Sequence, residues 1–127
     1  MVDDALAVKV IEAMKIEDYH FGSIKVDGET YTSDVIISPE SVDASWWRER
    51  GHEVSCKDLE PVLEARPDAV VIGTGAYGVM KVTAQAAELL RKRGIQAHVL
   101  PTAEAWKRYN ELVEKGHRAV AALHLTC

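Results

Sequence analysis

Apolar and polar positions follow two different rhythms along this chain, changing near residue 69. Residues 4–15 place Leu6, Val10 and Met14 at intervals of four, with Ala7 and Ile11 beside them, which predicts a short amphipathic helix. From Phe21 the period falls to two. Ile24 and Val26 flank Lys25, Asp27-Gly28 is a hairpin turn signal, and residues 31–37 are β-branched and aromatic. This reads as a β-hairpin whose second strand is stopped by Pro39. A polar loop follows through Ser45, and Trp46-Trp47-Arg48 is read as a short third strand. Asp58 is a suitable N-cap for a brief helix over 59–65, with Pro61 tolerated in its first turn, and Arg66-Pro67-Asp68 breaks it.

The second half is more regular. Ala69-Val70-Val71-Ile72 is a short continuous apolar run of the kind expected for a strand buried on both faces. Residues 79–82 look extended, Thr83 caps a helix over 84–93, and Gly94 ends it before a strand at 95–100. Pro101-Thr102 opens a helix running through Lys115, with Trp106, Tyr109, Leu112 and Val113 on one stripe and Gly116 as terminator. Residues 118–125 form the last strand. That assignment leans on the β-α-β-α rhythm before it, because the alanines suit a helix equally well. The expected organisation is one α/β domain over 14–127, preceded by an N-terminal extension over 1–13.

Composition narrows the function classes. A formal net charge of −5 argues against a sequence-independent grip on nucleic acid, which needs a positive field. The one dense basic cluster, Arg91-Lys92-Arg93, falls where a helix's last turn favours cations. No apolar run approaches the ~20 residues that span a bilayer. Asp3 and Asp4 disfavour an Arg-rich presequence, so a small soluble cytoplasmic domain is expected. Cys56 and Cys127 suit free thiols, and the five histidines lack metal-ligand spacing. No metal and no cofactor are expected.

The motif that attracts chemistry is Gly73-Thr74-Gly75-Ala76-Tyr77-Gly78, which has the letters of a dinucleotide fingerprint and follows a buried strand. Two requirements fail. The helix that should begin within the glycines is capped only at Thr83, and the next strand, ending His98-Val99-Leu100, carries no acid for a ribose. Two readings stay open: a structural turn, or a strand-end loop whose amides hold a small anionic or polar ligand. Trp46-Trp47-Arg48 with Gly51-His52 forms a second candidate, since two adjacent tryptophans on a strand cannot share one core and the outer one suits a cleft or a hot spot. His124 with Cys127 makes a weak case for a thiol nucleophile, because a terminal cysteine lacks supporting structure. Asp27, Asp34 and Asp43 show no convergence of carboxylates in the sequence.

The ordered set Tyr19-His20-Phe21-Gly22-Ser23-Ile24, Val26-Asp27-Gly28, Asp34-Val35-Ile36-Ile37, Trp46-Trp47-Arg48, Gly51-His52, Val71-Ile72-Gly73-Thr74-Gly75, Tyr109-Asn110 and His124-Leu125-Thr126-Cys127 resembles a family of small domains of unknown function. Its eukaryotic relatives include a mitochondrial assembly factor for respiratory complex I and an adipogenesis-associated protein. The resemblance runs from about Met14 to Cys127. It implies a three-layer α/β fold, with a central mixed five-stranded sheet flanked by helices and a β-hairpin element added to one side. It also implies that the glycine turn is a family hallmark without an accepted enzymatic role.

The functional expectation is a non-enzymatic binding or assembly module, with a cleft for a protein partner or small anion shaped by Trp46, Trp47, Arg48, His52, Gly73, Thr74, Gly75, Tyr77 and Gly78. The alternative is an enzyme that holds a small anionic substrate at Thr74 and Gly75, with His52 as acid or base.

Overall fold

A computed structural model describes residues 14–127. The helix expected over 4–15 lies outside them, except for Met14 and Lys15, which are irregular backbone. Strands β1 (Ile16–His20), β2 (Ser23–Val26) and β3 (Glu29–Tyr31) make an antiparallel meander. Between β2 and β3, Asp27 and Gly28 both take positive φ, 47° and 86°, as the two-residue hairpin turn with matching twist requires.

The central sheet has the order β5-β4-β10-β7-β9, built from β4 (Val35–Ile37), β5 (Val42–Asp43), β7 (Ala69–Thr74), β9 (Gln96–Leu100) and β10 (Ala119–His124). Strands β9, β7 and β10 run parallel, while β4 and β5 add antiparallel pairings, so the sheet is mixed. A separate two-stranded parallel pair joins β6 (Glu53–Val54) to β8 (Lys81–Val82). The helices are α1 (Glu60–Glu64), entered through a 3-10 turn at Lys57–Leu59, then α2 (Ala84–Lys92) and α3 (Thr102–Glu114).

Strand pleating sorts the core into two layers. Ala119, Ala121 and Leu123 of β10 pack with Ala69 and Val71 of β7 against Ala105, Tyr109 and Leu112 of α3 and against Ile16, Ile24 and Val26 of the meander. Val120 and Ala122 face the other way, with Val70 and Ile72, onto Leu59, Val62, Ala86 and Leu90. All six residues of β10 are buried, and its alanines let both layers approach the sheet closely. Helix α3 and the meander on one face, with α1 and α2 on the other, give the three-layer architecture expected. Among the described residues no helix is long and apolar enough to cross a membrane.

Several local expectations are met. Thr83 caps α2, its Oγ1 accepting from the Ala86 amide at 3.0 Å, and both α2 and α3 stop within two residues of Gly94 and Gly116. Others are corrected. Residues 31–37 are not one strand: β3 ends at Tyr31, exposed Thr32 and Ser33 intervene, and β4 belongs to the central sheet. The meander also contains β1, a third strand. Trp46-Trp47-Arg48 is irregular backbone, because it serves as a strap whose Trp46 amide donates to Asp34 O at 3.1 Å and whose indole Nε1 donates to Asp58 O at 3.0 Å. The strand of that region is β5, inside the expected polar loop. Asp58 does not cap α1. Its carboxylate turns back to accept from the Ser55 amide and hydroxyl at 2.8 and 3.0 Å.

Candidate functional site

The carboxyl ends of β7 and β10 lie side by side, with Gly73 opposite Leu123 and Thr74 opposite His124. On the other side of β10, Leu123 pairs with Val35. One residue beyond that antiparallel pairing, Asp34 comes beside His124 on the face occupied by Ile36 and Ala122. His124 Nδ1 lies 2.8 Å from Asp34 Oδ2, and the Leu125 amide donates to Asp34 Oδ1 at 2.8 Å. Arg48 Nη2 donates to the same Oδ2 at 2.9 Å, and Arg48 also donates through Nη2 and Nε to Gly51 O at 2.9 and 3.2 Å. The guanidinium carbon sits 4.6 Å from the Trp46 ring centre, close enough for a cation–π contact. The His52 ring meets His124 edge-on, with centroids 5.7 Å apart.

This cluster is mostly buried: the side chains of Arg48, His124 and Asp34 are 5%, 8% and 19% exposed. Burial pushes the Asp34 carboxyl upward, but the Leu125 amide, His124 and Arg48 together push it further down, so it stays below the usual aspartate range. The ring nitrogen facing Asp34 is read as carrying the proton, because a carboxylate can only accept.

The glycine turn leans directly on this cluster. Gly75 has φ +98°, and a Cβ there would fall 2.7 Å from Thr126 O and 2.8 Å from His124 Cδ2. A Cβ on Gly73 would meet Leu123 Cδ2 and Thr102 Oγ1, each at 2.8 Å, which is how α3 approaches the sheet so closely. Three of the turn's amides, and that of Met80 just after it, are engaged. Gly75 N donates to Thr102 Oγ1 at 2.9 Å, Ala76 N to Thr126 O at 2.8 Å, Gly78 N to Gly75 O at 3.3 Å and Met80 N to Thr74 O at 3.1 Å. An anion seated on Gly75 would have to displace Thr102. The next helix after the turn is α2, which begins at Ala84 beyond β8.

The residues singled out in the sequence therefore divide. Trp46, Arg48, His52 and Gly75 surround the Asp34–His124 pair, while Gly73 and Thr74 are buried sheet positions, Thr74 beside His124 and Gly73 turned to the opposite face against Thr102. Trp47 is 72% exposed and borders a hollow of about 270 Å³ that Lys57, Asp58 and Pro61 also line. Tyr77 is 75% exposed and pairs with Phe21, ring centroids 6.4 Å apart, while Gly78 sits beside Pro101 and Thr74. Sequence reasoning missed Asp34, His124 and Thr102 as partners. One signal was available: His124 is the only ionisable residue in the six-residue run 119–124, which is otherwise continuously apolar. The remaining histidines lie elsewhere, His20 beside Asp18, His98 beside Arg108 and His117 beside Asp68. Cys56 and Cys127 are free thiols.

Comparison with known proteins now adds to this geometry. Residues 16–124 match the model of a family described as protein of unknown function DUF498/DUF598. The chain belongs to that family. Over 115 residues it is 30% identical to human NADH dehydrogenase (ubiquinone) 1 alpha subcomplex assembly factor 3, a match covering 88% of this chain and 61% of the human protein. The chain thus spans about three-fifths of the length of that curated relative. Among solved structures, a conserved hypothetical protein from Pyrococcus horikoshii OT3 is similar at TM-score 0.76 and 29% identity, over 89% of this chain and 99% of that one. A protein named MT938 is similar at TM-score 0.73 and 31% identity, over 91% of this chain and all of that one. The DUF498/DUF598 family and its mixed α/β fold agree with the resemblance carried by the ordered motifs.

Proposed function

We propose that this domain is a non-enzymatic binding or assembly module of the cytoplasm that docks a protein partner on the surface beside the glycine turn. The exposed pair Phe21 and Tyr77, 58% and 75% accessible, carries this reading. The two rings come from separate loops that are tied to one C-terminal segment: Gly22 N donates to Leu125 O at 2.8 Å and Ala76 N to Thr126 O at 2.8 Å. Aromatic side chains held on a fixed backbone lose little entropy on contact and make efficient anchors. The human relative's name, an assembly factor, supports a protein partner for this chain as well. Affinity capture with the intact chain is expected to recover a stoichiometric partner, lost when Phe21 and Tyr77 are replaced by serine. Capture of no partner, or of one indifferent to both substitutions, overturns the reading.

A second reading is an enzyme acting on a small anionic substrate at Thr74 and Gly75, with His52 as acid or base. It draws on the exposed His52 ring standing against His124. The engagement of the Gly75 amide by Thr102 weighs against the anion seat that this version requires. Turnover of a small-anion panel that survives His52→Ala unchanged removes His52 from any such mechanism.

A further inference from the structure

Two nitrogen atoms in the polar cluster behind the glycine turn have no hydrogen-bond partner among the described residues: Arg48 Nη1 and His124 Nε2. Both belong to side chains more than nine-tenths buried, 5% and 8% exposed. The two residues touch, with Arg48 Nη2 3.3 Å from His124 Nδ1, and both are anchored on the same oxygen of Asp34. The third such nitrogen, His98 Nε2, lies apart on β9. Buried polar atoms are normally paired, since leaving one unmade forfeits its hydration without return. Two of them on contacting residues point to one shared partner.

The chemistry of that partner follows from what the two atoms offer. Arg48 Nη1 only donates. With the Nδ1 proton directed at Asp34, His124 Nε2 accepts when the imidazole is neutral and donates once it is protonated. A partner must therefore present an acceptor oxygen to Arg48 and, to His124, either a hydroxyl or a second acceptor oxygen. Monohydrogen phosphate carries both kinds of oxygen on one compact centre. Arginine's planar fork suits such an oxyanion, and Asp34, Gly51 and Trp46 already hold its other edge and one face in position.

We propose that Arg48 and His124 form a binding site for a small free oxyanion of the phosphate type, reached from the side of the exposed His52. This deepens the small-ligand part of the expected function and moves its seat from Thr74 and the Gly75 amide, which Thr102 engages, to the side chains next to them. His52 stands on the Gly51-His52 turn against the His124 ring, so rotation of this exposed side chain would open the way to the two nitrogens. Gly75 also has a role. Its missing Cβ leaves room for the His124 ring, which a larger residue would push away from Asp34.

Inorganic phosphate titrated into the full-length chain at constant ionic strength is expected to shift the His124 imidazole nitrogens and the Leu125 amide saturably in nitrogen-resolved NMR. Chloride over the same range should not. Arg48→Met is expected to weaken binding on the order of tenfold or more. If that variant does not fold, His124→Gln should weaken it likewise. Crystals grown with arsenate should show anomalous density within hydrogen-bond distance of Arg48 Nη1 and His124 Nε2. Absence of saturable shifts, shifts that persist in the folded variants, or a lone ordered water bridging the two nitrogens with arsenate elsewhere overturns the proposal. These outcomes are separable from the docking surface, whose loss in the Phe21 and Tyr77 variants leaves phosphate shifts in place.

Discussion

The imidazole of His124 and the carboxylate of Asp34 meet at 2.8 Å although 90 positions separate them in sequence. They meet because antiparallel pairing of β4 with β10 aligns the residue before one strand with the last residue of the other. Asp34 is the hub: its two oxygens serve His124, Arg48 and the Leu125 amide. Asp34→Asn keeps the shape but removes the charge that two of these partners need. Urea unfolding should show a loss of about 3 kcal/mol, as expected when one partner leaves a largely buried ion pair. A loss below about 1 kcal/mol would show that the cluster contributes little to stability.

The same carboxylate makes a pH prediction. Burial raises it, and the Leu125 amide, His124 and Arg48 lower it by more, so its folded value lies below its unfolded value of about 3.9. A depressed folded value means that the unfolded chain takes up the proton first. The stabilisation is thus complete above about pH 4 and is lost as pH falls through the folded value. Denaturation midpoints measured from about pH 6 to about pH 2 should fall more steeply for the parent than for Asp34→Asn.

Two glycine substitutions separate backbone strain from crowding. Gly28 has φ +86° with open space around it, whereas Gly75 has φ +98° with a backbone oxygen and the His124 ring closer than 3 Å to any added Cβ. Gly28→Ala should cost about 1 kcal/mol through backbone strain. Gly75→Ala should cost about 2–4 kcal/mol and perturb the His124 resonances, because strain and overpacking add. Equal costs in thermal denaturation would contradict the close approach.

Thr102 holds the turn to β10. Its hydroxyl accepts from Gly75 N at 2.9 Å and donates to His124 O at 2.6 Å, and the residue is fully buried. Thr102→Val preserves volume but leaves two buried backbone groups unpaired, an expected loss of about 3 kcal/mol. Thr102→Ser keeps both bonds and should retain most of that stability. A valine variant as stable as the parent would remove Thr102 from this role.

The exposed rings should behave in the opposite way. Phe21→Ser and Tyr77→Ser are expected to change unfolding free energy by less than about 0.5 kcal/mol, since neither ring lies in a core layer. Partner capture should nevertheless fail. A large loss of stability would assign the pair to packing.

Elements legible in the sequence were those whose cause is local. The buried run Ala69-Val70-Val71-Ile72, the Thr83 cap, the stripe of α3 and the Asp27-Gly28 turn each follow from a few neighbouring residues, and each appears in place. Trp46-Trp47-Arg48 misled for the complementary reason. Its composition suits a strand, but Asp34 and Asp58, both distant in sequence, claim its hydrogen-bonding groups. The division of residues 31–37 between two sheets was likewise invisible, since β-branched residues suit either one.

Periodicity, capping residues and turn chemistry thus carried the element order of the second half, and an ordered set of short motifs carried the family and its layered fold. Strand register, the meeting of Asp34, Arg48 and His124, and the use of the glycine turn as a packing surface belong to the tertiary structure. Register depends on pairing between strands far apart in the chain. Whether an amide or an imidazole is free for a ligand depends on which distant group reaches it first: Thr102 reaches Gly75, whereas among the described residues none reaches His124 Nε2.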